Sequence, residues 1–214
     1  MDKLTIAHIA PYLAHGLKVK TKLGVLEVSS LHPYGQYKVW CCFNLKRKPD
    51  INYRVIQPMN LNGHGFHLRQ IKPFLRPLEQ LTQEIEHDGI TFVPIIRLLE
   101  FKEWNIFSKN DLLRRINIRV PVKVISCKTE KYTIDEHATV HEVKYVIETT
   151  NMGALIYSFV YSEQFDRFAL RDETLQRTLA VGHQKQLFQK LYEWHFDLEG
   201  HIAAGRALPI KGKE

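Results

Sequence analysis

Alternating lysines near the start of the chain are the residues whose spacing most clearly suggests chemistry. Lys18, Lys20 and Lys22 alternate with apolar or hydroxyl side chains in the segment LKVKTK. Successive side chains of a β-strand point to opposite faces, so the three ammonium groups project from one face at intervals of about 6.6 Å. This interval is close to the spacing of phosphates along a nucleic-acid strand. The pattern predicts a surface that binds phosphates without reading bases.

Further cations and aromatic residues on the next predicted strands extend this surface. The cations are Lys38, Lys46, Arg47, Lys48 and Arg54, and Tyr34, Tyr37 and Trp40 lie among them. Exposed aromatic rings in such surroundings stack on bases. Alternating lysines also protect an edge strand from pairing with other chains, so a solvated face without a ligand is the alternative.

The histidines offer a second kind of chemistry, because imidazole is a common metal ligand. The candidate ligands among the 11 histidines are His64, His67, His195 and His201. A zinc site needs three or four converging ligands, and the sequence contains neither an HExxH helix nor a pair of cysteines at ligand spacing. We therefore predict no metal and no cofactor. A metal-dependent enzyme that uses these histidines is the last alternative.

Motifs for nucleophilic catalysis and for phosphate-binding loops are absent from the sequence. It has no GxSxG elbow, no P-loop and no GxGxxG between a strand and a helix. Cys41 and Cys42 are adjacent on a predicted strand, so their side chains point to opposite faces and no helix N-terminus activates either thiol. We predict no catalytic residue and a protein that is not an enzyme.

The composition is that of an ordinary globular protein. The 214 residues are 44% apolar and 25% charged, which suffices for a packed core in one large domain or two small ones. Three cysteines make no disulfide framework and indicate a reducing compartment. No apolar run approaches the roughly 20 residues of a membrane-spanning helix, and the first residues lack the apolar stretch of a secretory signal.

Positive charge is concentrated in the first third of the chain. Residues 1–78 carry 12 Lys and Arg against three acidic residues, a net charge of +9. Residues 79–214 carry 18 against 20, a net charge of −2. Such an asymmetry is typical of proteins with an anionic partner, most often nucleic acid.

The predicted elements of this basic part are one helix and four short strands. Thr5 begins the helix, Pro11 limits it to about Ala10, and Gly16 ends it in the left-handed conformation. Alternation with a period of two predicts strands over 17–22, 24–31, 36–43 and 52–57, separated by turns that include 32–35 and 44–50. Four such strands bury their apolar face only by curling, and they predict a small SH3-like antiparallel β-barrel.

The second part is predicted to begin with helices. Residues 67–86 are predicted to become helical, with Pro77 at a first helical position and Asp88–Gly89 as the end. Pro94 begins another short helix, and residues 110–116 form a third.

A β-meander and a closing helix complete the prediction. The strands cover 122–128, 139–149, 154–161 and 167–172, and the strand over 154–161 is apolar on both faces, which is typical of a middle strand. Apolar residues at helical spacing predict the closing helix over 182–200, with Gly200 at its end.

Four segments stand in a particular order along the chain: LTIAHIAPYLAHGLKV, LGVLEV, QIKPFLRPLEQLTQEI and KLYEWHFDLEGHIAAGRALPI. Together they resemble a family of short proteins encoded in phage and prophage regions of gut bacteria, in which a WHFD helix precedes a glycine-bounded turn. The resemblance implies a viral or prophage setting in a bacterial cytoplasm. It implies no reaction and no functional residue.

These observations predict an α+β protein of two domains. Residues 1–78 form a basic SH3-like barrel domain with an N-terminal helix, and residues 79–214 form a helical segment and an antiparallel β-meander closed by a C-terminal helix. The predicted function is binding of DNA or RNA through the barrel, in the cytoplasm and without a membrane. The alternative is a protein-interaction module whose meander and WHFD helix bind a host nucleic-acid-handling or defence complex.

Overall fold

The computed structural model describes residues 4–22, 24–34, 38–44, 68–99, 123–132, 138–149 and 153–212. Over these residues the chain is a mixed α+β protein with three α-helices, two five-stranded sheets and a two-stranded hairpin. It divides into two compact units, Met1–Leu78 with Leu191–Lys211 and Glu79–Lys190 with Gly212–Glu214. The strand predicted over 52–57 and the helix predicted over 110–116 lie outside the described residues.

The described strands are numbered in chain order. They are β1 Lys18–Thr21, β2 Gly24–Tyr34, β3 Lys38–Asn44, β4 Lys72–Leu75, β5 Ile85–His87, β6 Ile90–Phe92, β7 Lys123–Tyr132, β8 Ala138–Thr149, β9 Gly153–Ser162, β10 Arg167–Asp172, β11 Arg177–Ala180 and β12 Leu208–Pro209. The described α-helices are α1 Ile6–Leu13, α2 Pro94–Leu99 and α3 Gln184–Glu193, and short 3-10 helices cover Leu68–Gln70 and Leu78–Thr82.

Helix α1 opens the first unit and runs through a proline. The prediction that Pro11 limits the helix to about Ala10 is wrong, since α1 continues to Leu13. Ile9 and Tyr12 are fully buried, and their burial outweighs the one hydrogen bond that the proline cannot donate. Tertiary packing therefore sets the length of this helix.

The two ends of α1 are formed by local hydrogen bonding and by a glycine. The backbone N–H of Thr5 donates a hydrogen bond to Nδ1 of His8, 3.1 Å away, which satisfies a donor at the helix start. Gly16 follows the helix with φ +71°, a conformation that glycine adopts without a steric penalty. The predicted left-handed conformation of Gly16 is confirmed, and the helix itself ends earlier, at Leu13.

The sheet of the first unit has the strand order β12-β4-β1-β2-β3. Strand β1 pairs antiparallel with β2 and β4, and β12 runs parallel to β4. Strand β2 continues to Tyr34 through the turn predicted over 32–35, and its register with β3 shifts between Val28 and Ser30. Over the described residues the sheet does not close into a barrel.

The segment predicted to be helical over 67–86 is largely not α-helical. Its centre is strand β4, in which Pro73 and Leu75 are buried while Lys72 is exposed. Pro73 and Pro77 both lack an N–H and disfavour the helical conformation of the residue before them. The apolar residues whose spacing predicted the helix are divided between the 3-10 helix, which holds Leu78 and Leu81, and strand β5, which begins at Ile85. The prediction is therefore wrong here.

The closing helix ends seven residues before the predicted Gly200. Helix α3 stops at Glu193, and His195 adopts φ +63°. The N–H of Phe196 donates to the carbonyl of Leu191 at 2.9 Å, and the N–H of His195 donates to that of Tyr192 at 3.0 Å. These two bonds form a Schellman motif with a histidine in the position that usually holds glycine. The predicted closing helix is therefore confirmed over Gln184–Glu193, whereas residues 194–197, the WHFD segment, lie beyond its end and not within it as predicted.

The chain returns to the first unit at Leu191, in the last turn of α3. Phe196 forms a parallel bridge with Arg76, whose N–H donates to the carbonyl of His195 at 2.7 Å. Strand β12 then pairs with β4. The core of the unit combines residues from both ends of the chain: Leu4, Ile9, Tyr12, Leu17, Val19, Val28, Ile71, Leu75 and Ala207.

The second unit contains a tight hairpin and a short helix. Strands β5 and β6 are joined by Asp88 and Gly89, with φ +50° and +79°. Two central residues with positive φ are typical of the type I′ turn that connects hairpin strands. Asp88–Gly89 therefore joins two strands and does not end a helix. Helix α2 begins at Pro94, as predicted.

The meander of the second unit has the strand order β11-β10-β9-β8-β7, antiparallel throughout. The four predicted strands are confirmed, and β9 is the middle strand. Strand β11 was not predicted, because its four residues carry little apolar alternation. It follows a turn in which buried Asp172 accepts hydrogen bonds from the N–H groups of Thr174 and Leu175.

Aromatic rings fill the inner face of the meander. Phe168 packs against Phe159, Tyr161 and Phe188 of α3, with ring centroids 5.0 to 5.6 Å apart. The packing of α3 against β10 thus depends on an aromatic cluster. No α-helix among the described residues is long and apolar enough to cross a membrane.

Candidate nucleic-acid interface

Strand β1 presents its lysines to solvent. Lys18 and Lys20 are exposed, whereas Val19 and Thr21 between and after them are buried. The strand therefore alternates as its sequence predicts, with the apolar face in the core and the two ammonium groups on the outside. Lys22 is also exposed, in the turn after the strand.

A third lysine joins these two from a distant part of the chain. Lys72 of β4 lies directly opposite Lys20 in the antiparallel register, and it is exposed. Residues opposite each other in this way share one face of the sheet, with Cβ atoms about 4.5–5.5 Å apart. Lys72 was not among the predicted contacts, because it lies in the segment 67–86 that was predicted to be helical. We call Lys18, Lys20 and Lys72 the lysine face.

The lysine face carries an unbalanced charge. Lys18 lies opposite Glu27 of β2, whereas Lys20 lies opposite another lysine. Like charges directly opposite each other destabilise a sheet. None of the three lysines forms an ion pair within the part of the chain that the structure describes. An anion bound across Lys20 and Lys72 would relieve this repulsion.

The remaining predicted contacts are only partly described. Tyr34 and Lys38 lie opposite each other where β2 and β3 meet at the end of their hairpin. Lys46, Arg47, Lys48 and Arg54 lie outside the described residues. The structure therefore brings together Lys18 and Lys20 of the predicted set and adds Lys72 to them.

The histidines proposed as metal ligands have other surroundings. His201 is fully buried, and its Nε2 lies 3.2 Å from Oε2 of Glu199. Asp197 accepts hydrogen bonds from the backbone N–H groups of His201 at 2.8 Å and Ile202 at 2.7 Å, so its carboxylate holds the loop together. Burial lowers the pKa of His201 and favours the neutral imidazole.

No group of three metal-ligating side chains occurs among the residues described in the structure. His195 is the left-handed residue after α3, and its ring lies 6.4 Å from that of Tyr12. His64 and His67 lie outside the described ranges.

A chain of polar side chains crosses one end of the second unit. The hydroxyls of Thr82 and Thr129 are 2.9 Å apart, Thr129 Oγ1 lies 2.9 Å from Nδ1 of His141, and His141 Nε2 lies 2.7 Å from Oε1 of Glu163. His141 is fully buried and stacks on Tyr161. This His141 chain ties a 3-10 helix to β7, β8 and the turn between β9 and β10.

Cys127 lies beside the His141 chain. Its thiol donates a long hydrogen bond to the carbonyl of Thr82, with sulfur and oxygen 3.7 Å apart. Burial raises the pKa of the Cys127 thiol to about 11. The thiol is therefore protonated near neutral pH and is not an activated nucleophile.

Comparison of the chain with protein families, with curated proteins and with solved structures finds no match. The predicted resemblance to phage and prophage proteins therefore stays a prediction. The geometry of the described residues, above all the lysine face, is therefore the basis for a proposed function.

Proposed function

We propose that this protein binds nucleic acid without catalysing a reaction, and that the lysine face is part of its binding surface. The observation that carries the proposal is the position of Lys20 opposite Lys72, with Lys18 beside them on the same exposed face. A pair of like charges costs stability in the free protein. A polymer of phosphates offsets that cost when it binds.

The mechanism is charge neutralisation with release of counterions. Each phosphate that a lysine neutralises changes the slope of log affinity against log salt by about −0.9 on duplex DNA. Contacts between ammonium groups and phosphates carry no sequence information, so binding is expected to be independent of base sequence. The proposed partner is DNA or RNA.

The finer parts of the prediction belong to the same proposal. They are an SH3-like closure of the first sheet, a phage or prophage setting in the bacterial cytoplasm, and a contribution to binding from Lys22, Tyr34, Lys38, Lys46, Arg47, Lys48 and Arg54. The net charge of +9 on residues 1–78 supports the contribution of these cations to binding, because a basic patch is the electrostatic footprint of a nucleic-acid-binding protein.

The test is the salt dependence of binding for a double variant, Lys20→Gln with Lys72→Gln. A labelled DNA duplex is titrated in fluorescence anisotropy between about 50 and 200 mM salt. The control replaces Lys123 and Lys185, exposed lysines of the second unit, with Gln. We expect the double variant to bind every DNA sequence more weakly and to reduce the slope of log affinity against log salt by about 2. The control variant should have the same slope as the wild type.

Thermal unfolding separates loss of binding from loss of fold. Removing the repulsion between Lys20 and Lys72 leaves the melting temperature equal or higher. If the double variant has the affinity and the salt slope of the wild type, the lysine face is not part of the binding surface. An acidic host protein is the alternative partner, and a complex that survives nuclease treatment in gel filtration would favour it.

A further inference from the structure

One face of the second unit's meander contains a groove of about 210 Å³. Val140, Val160 and Ala169 line its apolar floor on three neighbouring strands. Arg167 and Arg171 lie on the same face of β10 as Ala169, two residues to either side of it, and both also line the groove. The groove therefore combines an apolar surface with positive charge.

An exposed aromatic ring borders this groove. Phe165 lies in the turn between β9 and β10 with 60% of its surface exposed. The guanidinium carbon of Arg167 lies 5.0 Å from the centre of the ring, which is within the range of a cation–π interaction. Phenylalanine is more often buried, so a ring presented to solvent beside a cation is a candidate stacking platform.

The turn that carries Phe165 is held at three points. The N–H of Glu163 donates to the carbonyl of Thr139 at 3.1 Å, and the Glu163 carboxylate is bonded to His141 at the end of the His141 chain. The hydroxyl of Tyr161 donates to Oδ1 of Asp166 at 2.9 Å. These bonds fix the turn before a ligand arrives, which reduces the entropy that binding would cost.

We propose that this groove binds one nucleotide of a single-stranded nucleic acid, with the base stacked on Phe165 and the phosphate bound by Arg167. A base offers a flat π-face to the ring, and a guanidinium matches the oxygens of a phosphate in a bidentate manner. The groove is smaller than the roughly 300–1,000 Å³ of sites for drug-sized ligands, so its volume suits one base. The faces of paired bases are covered in a duplex, so the groove selects single strands.

This inference rests on the proposed function only for the choice of polymer. The groove belongs to the second unit, whereas the lysine face belongs to the first. A free nucleotide is short enough to test the groove by itself. Adenosine monophosphate and ribose 5-phosphate are therefore the first probes. Their binding is measured from the NMR chemical-shift changes that each causes in the full chain.

The variants are Phe165→Leu, which removes the ring and keeps an apolar side chain, and Arg167→Gln, which removes the charge. Leu175→Ala is the matched control, because Leu175 is also 60% exposed at a hairpin turn, between β10 and β11. We expect adenosine monophosphate to shift the signals of residues around the groove more strongly than ribose 5-phosphate does. Both groove variants weaken these shifts, and the control leaves them unchanged.

A labelled single-stranded DNA and its abasic counterpart extend the test to the polymer. Phe165→Leu should weaken binding of the normal strand about 5- to 150-fold at an unchanged salt slope, and it should leave the abasic strand unaffected. Arg167→Gln should reduce the slope by about 1. Equal losses on both strands, or equal shifts with ribose 5-phosphate and adenosine monophosphate, would overturn the proposal.

The two proposals fail in different ways. If only the lysine face is wrong, Lys20→Gln with Lys72→Gln leaves polymer binding unchanged while Phe165→Leu still weakens it. If only the groove is wrong, adenosine monophosphate causes no shifts and the lysine variant still reduces the salt slope.

Discussion

The hydroxyl of Tyr12 donates a hydrogen bond to the carbonyl oxygen of Phe196, 2.8 Å away, across 184 positions of the sequence. Both residues are fully buried. Burial also raises the pKa of the Tyr12 phenol, so the hydroxyl remains a donor near neutral pH. The bond connects helix α1 to the segment that follows α3, and it joins the two ends of the chain within one unit.

The first prediction concerns this bond. Replacing Tyr12 with Phe removes one of two donors to the carbonyl of Phe196, which keeps the N–H of Leu198 at 3.1 Å. The change should therefore cost about 0.5–1.5 kcal/mol of unfolding free energy. Urea unfolding followed by circular dichroism measures the change. A Tyr12→Phe protein with the midpoint and slope of the wild type would show that the bond contributes no net stability.

The second prediction concerns the left-handed residue after α3. His195→Gly and His195→Ala both remove the imidazole, but only glycine adopts φ +63° without strain. The Gly variant should therefore be more stable than the Ala variant by about 1 kcal/mol.

The control for this comparison is Gln189, an exposed residue inside α3. There the order should reverse, with Gly less stable than Ala by about 1 kcal/mol, because the site has helical dihedrals. Thermal melts of the four variants give both differences. The same order at both sites would mean that the Schellman motif does not form.

The third prediction is a loss of stability in acid that depends on His201. Burial is the main cause of its lowered pKa, opposed by Asp197 and Glu199 and reinforced by Arg206 and His8. Because the folded protein holds the imidazole neutral, the unfolded chain binds the proton more readily. The stability that depends on a neutral His201 is therefore fully present above the unfolded pKa of about 6.5, and it is lost as the pH falls through the lower pKa of the folded protein.

Melting temperatures at neutral pH and near pH 5 test this dependence. The His201→Gln variant cannot take up the proton, so its melting temperature should fall less between neutral pH and pH 5 than that of the wild type. His183→Gln is the control, since His183 is exposed. Equal declines for all three proteins would exclude His201 as a source of acid sensitivity.

Local sequence patterns predicted the strands of the meander well. They predicted poorly the segments whose structure depends on contacts with distant parts of the chain. Strand β9 was recognised as the middle strand because both of its faces are apolar, a property of the strand itself. Strand β4 was missed because it lies in the segment 67–86, which was predicted to be helical from the spacing of Leu78, Leu81 and Ile85. Periodicity does not reveal that β1 and β12 lie on either side of β4. The same limit applied to His195, since a left-handed residue at a helix end is usually glycine.

Residue type and near-neighbour spacing suffice to predict the α+β class, the alternation that exposes Lys18 and Lys20, and the excess of positive charge in the first third. The position of Lys72 opposite Lys20, and that of Phe165 beside an apolar groove with Arg167, are known from the folded chain alone. Strand register and the meeting of distant segments follow from packing of the whole core. Packing is a property of many residues at once, and no local pattern contains it.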